Sequence, residues 1–189
     1  LTGATAVKFG ASNASSFTVS SATQITATVP AGSGIVDVTV TTAGGTSSVS
    51  VADKYSYVPA PAVTGISPAS GPTAGGTSVV ITGSNLTAAS AVRFGGTAAS
   101  SFTLDSGTQI TATAPAGAVG AVDVTVTTVG GTSTTHAGDL FSYVAAPTVT
   151  GVSPATGPVA GGSTVTITGT ALTGATAVKF GSTNATSFI

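Results

Sequence analysis

The chain has 189 residues, of which 5% are charged, with four Lys or Arg against five acids and a net charge of −1. Cations so sparse, Lys8, Lys54, Arg93 and Lys179, exclude the basic face that nucleic-acid phosphates require, and with no cysteine there is neither a disulfide framework nor a thiolate metal site. Hydrophobic residues reach 41% in a regular pattern, which excludes a disordered tail, and no apolar run is long enough for a membrane span in this segment.

Taken in order, Ala6-Val7-Lys8-Phe9-Gly10 alternates, with Val7 and Phe9 on one face and Lys8 on the other, which predicts a short strand. The alternation continues at Ile25, Ala27 and Val29, then at Val36, Val38 and Val40. Period two with threonine between the apolar positions predicts half-buried strands whose solvent face is polar without charge. Ala43-Gly44-Gly45-Thr46 marks a turn, and Lys54 to Val58 reads as a closing strand with Tyr55 and Tyr57 inward. Pro59-Ala60-Pro61 then predicts a short, stiff connection.

From Pro61 the chain supplies an opening that residues 1 to 58 lack: Val63 to Ser67, a turn at Pro68-Ala69-Ser70-Gly71-Pro72, and a strand Ser78 to Thr82 with Val79 and Ile81 inward. Val92 and Phe94, then Phe102, then Ile110, Ala112 and Ala114, then Val122, Val124 and Val126, then Phe141 and Tyr143 follow as inward positions. This amounts to about seven strands with no helical pattern, the density of a two-sheet sandwich. After Val144-Ala145-Ala146-Pro147 the opening begins again with Val165 and Ile167 inward, and Phe180 is expected at the core position of Phe9 and Phe94.

The segments are copies of one unit, and a period of this size sets the architecture. PTVTGVSPATGPVAGG from Pro147 matches Pro61 onward at an offset of 86, while LTGATAVKFG at Leu1 matches Leu86 onward at 85. The one-residue difference falls in the loop AGSG at 31–34 against AGAVG at 116–120. The expected division is 1–58 as the C-terminal part of one domain, 59–144 as a complete domain and 145–189 as the N-terminal part of a further one. With Leu at position 1 and no methionine, the sequence reads as a window from a longer chain whose signals and anchors lie elsewhere.

The string VTGISPASGPTAGGTSVVITGSNLT, followed by AVRFGG, QITATAPAG, VDVTVTTVGGTS and FSYV, resembles the IPT/TIG family of immunoglobulin-like domains. That resemblance implies an all-β fold of tandem early-set immunoglobulin-like β-sandwich domains set end to end. Such domains occur in receptor ectodomains, in Rel-type transcription factors, beside carbohydrate-active enzymes and in tandem arrays on bacterial surface proteins, and fold alone does not choose among them. This chain departs from the receptor members in having no cysteine and from the transcription factors in having few basic residues. Its near-identical copies point to the bacterial arrays.

Candidate sites have bland readings that outweigh the sharp ones. His136 is the one histidine and has no counterpart in Ser50-Val51-Ala52, so it reads as a loop residue and not as part of a triad or metal site. Asp37 and Asp123 match, as do Asp53 and Asp139, but calcium wants six to eight oxygens and two scattered carboxylates per repeat read as structural. Asn13, Asn85 and Asn184 each open an Asn-x-Ser/Thr triplet, which suits glycosylation in a secretory chain and equally suits turns. An intramolecular Lys-to-Asn or Lys-to-Asp bond is not expected, since Lys54 aligns with Leu140, Lys8 with Arg93, and there is no Glu. The pairs Gly44-Gly45 and Gly130-Gly131 lie between strands and are not phosphate loops. No catalytic, cofactor-binding, metal or ligand-binding residue is assigned.

The expected function is a non-catalytic stalk, spacer or fibre segment of an extracellular or cell-surface, bacterial protein, with neighbouring repeats or identical chains as head-to-tail partners. The competing expectation is a ligand-binding module, such as a carbohydrate-binding or adhesin domain taking a carbohydrate or host-surface ligand. Sugar platforms need aromatic rings facing solvent. There is no Trp, and at least two of Tyr55, Tyr57 and Tyr143 are expected to be buried.

Overall fold

The computed structural model describes residues 2–189, so the first residue of the expected 1–58 unit lies outside the described residues. The first segment comprises β1 (Ala6–Phe9), β2 (Ser12–Asn13), β3 (Ser16–Ser21), β4 (Gln24–Thr28), β5 (Gly34–Thr42), β6 (Gly45–Thr46) and β7 (Lys54–Tyr57). Its Val- and Thr-rich β5 is the central strand: β1 pairs with it in the register Val7↔Val40 and Phe9↔Val38, and β7 in the register Val36↔Tyr55. β3 and β4 form a separate hairpin with Val19 opposite Ile25.

Val7 and Phe9 are buried as the alternation predicted. The tyrosines are not: Tyr55 remains 37% exposed and Tyr57 half-buried, although their rings meet edge to face at 5.0 Å and Tyr55 meets Phe9 at 5.3 Å. Only Tyr143 of the three is buried. The reason is topological, since among the described residues β4 pairs with β3 alone and β7 with β5 alone, so no further strand covers this face.

The second segment comprises β8 (Ala62–Ser67), β9 (Ser70–Pro72), β10 (Ser78–Ser84), β11 (Ala91–Phe94), β12 (Thr97–Ala98), β13 (Ser101–Ser106), β14 (Gln109–Thr113), β15 (Gly120–Thr128), β16 (Gly131–Thr132) and β17 (Leu140–Val144). One sheet runs β13-β14-β10-β8 and the other β12-β11-β15-β17-β9, with β16 on β15. Alternate residues of both sheets meet in one core, with Val79, Ile81 and Ile110 from the first against Phe94, Val124, Val126 and Phe141 from the second. Each such side chain, fully removed from water, contributes about 1.5–3 kcal/mol. Val92↔Val126 and Phe94↔Val124 repeat the β1–β5 register of the first segment.

The stretch Pro68 to Pro72, expected as a turn, contains β9, which pairs in parallel with β17 through Tyr143↔Gly71 and Val144↔Pro72. Short strands such as β9, β12 and β16 raise the number above the expected seven. The loop after β9 is then fastened to the end of β14, with the amides of Gly76 and Ala114 donating to the carbonyls of Ala114 and Thr77 at 2.8 Å and that of Gly117 to Thr73 at 2.9 Å. Gly75 sits there at φ +77°, and a Cβ on it would lie 2.5 Å from the Pro115 carbonyl carbon, so only glycine fits. Two three-residue 3-10 turns, Val51–Asp53 and Ala137–Asp139, are the helical elements among the described residues.

The third segment has β18 (Thr148–Ser153), β19 (Thr166–Thr170), β20 (Lys179–Phe180) and β21 (Thr183–Asn184). β18 on β19 repeats the β8–β10 pairing, including the bulge that skips one threonine before glycine. No second sheet covers it among the described residues, so Val165 and Ile167 are only half-buried. Phe180 is 53% exposed, against 7% for Phe9 and 2% for Phe94. The core position expected for it is therefore not formed here, because β20 pairs only with β21.

Candidate functional site

Among the described residues no three His, Asp or Glu side chains lie together as metal ligands. His136 is structural, serving as the N-cap of the 3-10 turn Ala137–Asp139. Its Nδ1 accepts from the Gly138 amide at 2.9 Å, so the ring proton belongs on Nε2, which donates to the Val63 carbonyl at 2.5 Å and fastens the turn to β8. Asp139 completes the cap by accepting from the His136 amide at 3.0 Å. In the first segment Ser50 and Asp53 make the same reciprocal cap. That capping box was readable in Ser50-Val51-Ala52-Asp53 as a polar residue followed three positions later by an acid, and sequence reasoning missed it.

The matched aspartates differ in their surroundings. Lys54 forms an ion pair with Asp37, and the hydrogen bond from its ammonium holds the Asp37 carboxyl below the usual carboxylate range. In the second segment Leu140 stands where Lys54 stood. There Asp139 is fully buried, its Oδ1 without a partner among the described residues; burial pushes its carboxyl above the usual range and the charge of Asp123 adds to the push.

Asn13 and Asn184 are exposed on the two-residue strands β2 and β21. Asn85 adopts φ +55° and its Nδ2 donates to the Ala60 carbonyl in the linker at 3.1 Å. Arg93 is satisfied locally, donating to the Gly96 carbonyl at 2.8 Å, and Lys8 is exposed on β1. Gly45 and Gly131 take left-handed φ in strand-connecting turns, and Gly130 packs so closely on the linker that a Cβ would strike the Pro59 carbonyl oxygen.

What the structure brings together is an open groove of about 450 Å³ on the first segment, lined by Val29, Pro30, Gly32, Tyr55 and Tyr57, with Val129 of the second segment at its rim. It occupies the place that the fastened loop after β9 fills in the second segment, since Pro30 and Tyr57 correspond to Pro115 and Tyr143.

Two facing, mostly antiparallel sheets around one core make residues 62–144 an immunoglobulin-like β-sandwich. The chain belongs to the IPT/TIG domain family, whose sequence profile matches residues 61–143 and 147–188. Similar solved structures include the plexin A4 full extracellular region, 22% identical over 80% of this chain and 14% of that one, with a TM-score of 0.46. They also include SGBP-B from a complex xyloglucan utilization locus in Bacteroides uniformis, 17% identical over 70% of this chain and 40% of that one, with a TM-score of 0.37. A third is the Bacteroides ovatus mixed-linkage glucan utilization locus SGBP-B in complex with a mixed-linkage heptasaccharide, 21% identical over 78% of this chain and 39% of that one, with a TM-score of 0.36. This chain thus spans less than half the length of each. No curated protein matches it.

Proposed function

We propose that this chain is a non-catalytic structural segment, a stalk, spacer or fibre piece, of a bacterial extracellular or cell-surface protein. Immunoglobulin-like domains stand end to end in it, and incomplete ones are completed head to tail by neighbouring repeats or identical chains. The observation that carries this reading is the joint between the first two segments. The linker is held at Ala60 by the Asn85 amide and at Pro59 by the close approach of Gly130, both from the sandwich that follows it. A linker fastened in this way passes orientation from one unit to the next, whereas a Gly/Ser tether would not. The sparse charge fits the same role, because units in a row repel one another little.

Small-angle scattering on the dilute chain tests it. A strand of about seven residues rises about 24 Å, and loops bring a complete unit to roughly 35–40 Å, so the expected particle is a rod of units in a row. A compact, folded-back particle would reject the spacer.

A further inference from the structure

We propose that Asp123 and Asp139 hold one proton between them, and that this proton latches the turn Ala137–Asp139 onto β15 and β8. Every residue of the latch belongs to the sandwich of the second segment.

The turn carries Asp139 out of solvent. Its Oδ2 accepts from the His136 amide, while Oδ1 is closed off from water and has no partner among the described residues. β15 pairs with β17 in the register Asp123↔Leu140, one residue from Asp139, and the two carboxyls stand within hydrogen-bonding reach of each other. Two carboxylates offer each other acceptors only; a proton on one of them turns the contact into a hydrogen bond. Without it, like charges face each other where burial already disfavours one of them. The surrounding elements supply no cation instead. β8 has no ionisable side chain, and β17 brings Leu140 and, in the core, Tyr143, whose hydroxyl donates to Pro115. Arg93 on β11 lies opposite Thr125 and donates to the Gly96 carbonyl. His136 accepts from the Gly138 amide through Nδ1, so that nitrogen carries no proton. Burial and Asp123 therefore hold the proton on the pair, with the His136 amide pulling the other way.

The first segment shows what the proton replaces. Asp37 and Asp53 stand there as Asp123 and Asp139 do, with their carboxyls within hydrogen-bonding reach, the cap to Ser50 in place and the Asp53 Oδ1 likewise without a partner among the described residues. Opposite Asp37, however, is Lys54, whose ammonium forms an ion pair with it. Leu140 removes that cation from the second segment while both acids stay. A metal ion is a poor substitute, because among the described residues no third acid or histidine joins the pair as a ligand and the Asp139 Oδ1 is sealed from solvent. A proton needs no volume. Once it leaves, the turn must lift for water to reach Asp139. With the turn go the bond from His136 Nε2 to the Val63 carbonyl and the packing of Gly138 on the Thr64 carbonyl, where a Cβ would lie 3.0 Å away. Because the folded value of Asp139 is raised, the proton stays as pH climbs past the ordinary carboxylate value, and the latch opens only above the raised one. β8 follows the linker directly, so the latch holds the end of the sandwich at which the joint is made.

Carbon-13 NMR of the whole chain tests the proposal, since its five acids are all aspartates and each carboxyl can be followed by itself. Expected are two titration steps that appear at both the Asp123 and the Asp139 resonance, as coupled groups give. The later step should lie above the ordinary carboxylate range, and the amides of Gly138 in the turn and Thr64 in β8 should shift with it. Asp139→Asn should leave Asp123 with a single step, and Asp123→Asn should move the Asp139 step down, because the new amide donates to the carboxylate and stabilises its charge. An Asp123 resonance that titrates once in the unmodified chain, or identically in Asp139→Asn, overturns the shared proton. So does an Asp139 step unmoved by Asp123→Asn, which would assign it to burial or to His136 alone. Shared steps with the amides of Gly138 and Thr64 unmoved overturn the latch.

Discussion

Tyr143 donates its hydroxyl to the carbonyl of Pro115 at 2.8 Å, fastening the last strand of the sandwich to the loop after β14. Its counterpart Tyr57 keeps the ring but not the bond, its hydroxyl being buried without a partner among the described residues. Tyr143→Phe should therefore cost about 0.5–1.5 kcal/mol, the net value of a buried hydrogen bond. Tyr57→Phe should be neutral or slightly stabilising in the dilute chain. Urea denaturation of both variants checks this, and equal losses would show that Tyr57 has an equivalent bond.

Phe94 and Phe180 occupy matching positions of the repeat and have opposite surroundings in space. Phe94→Ala should destabilise its sandwich by about 3–5 kcal/mol, the usual cost of emptying a buried phenylalanine site. Phe180→Ala should change the stability of that sandwich by less than about 0.5 kcal/mol, because the ring lies half in solvent. A loss at Phe180 as large as that at Phe94 would mean that something covers the third segment.

The core strands were legible because their apolar residues alternate with threonine, and a one-residue slip would turn every one of them outward. β9 was not legible: Ser70-Gly71-Pro72 has no alternation, and its strand character comes from β17, a partner distant in sequence. The openness of Tyr55 was likewise hidden, since burial there depends on an edge strand and not on the tyrosine's own pattern. Of the candidate site, the pairing of Asp37 with Lys54 was not legible, because it follows from the register of β7 on β5. The capping role of His136 was not legible either, because histidine is not among the residues that usually open a helical turn.

Asp139 makes the second segment sensitive to pH in the direction opposite to Asp37. An acid whose folded pKa lies above its unfolded one weakens the fold as pH rises through the window between the two. The penalty is absent below the ordinary carboxylate value and complete above the raised one. Asp37, held low by Lys54, contributes stability that is present above the ordinary value and lost as pH falls through its lowered one. Asp139→Asn should therefore raise the melting temperature at neutral pH and leave it unchanged in acid, provided the cap to His136 persists. Thermal scans from acid to neutral pH would decide, and a variant less stable at neutrality would show that the buried oxygen has a partner.

Leu140→Lys would return to the second segment the cation that Lys54 supplies to the first, since Asp123 pairs with Leu140 in register as Asp37 does with Lys54. The gain should be no more than about 1 kcal/mol, the range of exposed ion pairs, and should fade in high salt. If Leu140→Lys is no more stable at low salt than at high salt, the new ammonium does not reach Asp123.

The two joints of the chain differ at the residue that faces the linker, Asn85 in one and Ala171 in the other, and at Pro59 against Ala145. Asn85 holds the first linker through Ala60, which precedes Pro61; in the next unit Ala171 takes the same left-handed backbone, φ +53° against +55°, but has no amide to offer Ala146, which precedes Pro147. The first joint should therefore be the stiffer. Spin labels on Ser20→Cys and Ala118→Cys, both exposed positions, would report it as a narrow distance distribution that Asn85→Ala broadens. The converse change is the sharper test. Ala171→Asn meets a backbone that asparagine tolerates, and its side chain should donate to the Ala146 carbonyl, narrowing the distribution between labels placed on either side of that joint. If the distribution is unchanged while Asn85→Ala still loosens the first joint, the amide stiffens a joint only where a contact such as that of Gly130 with Pro59 stands beside it.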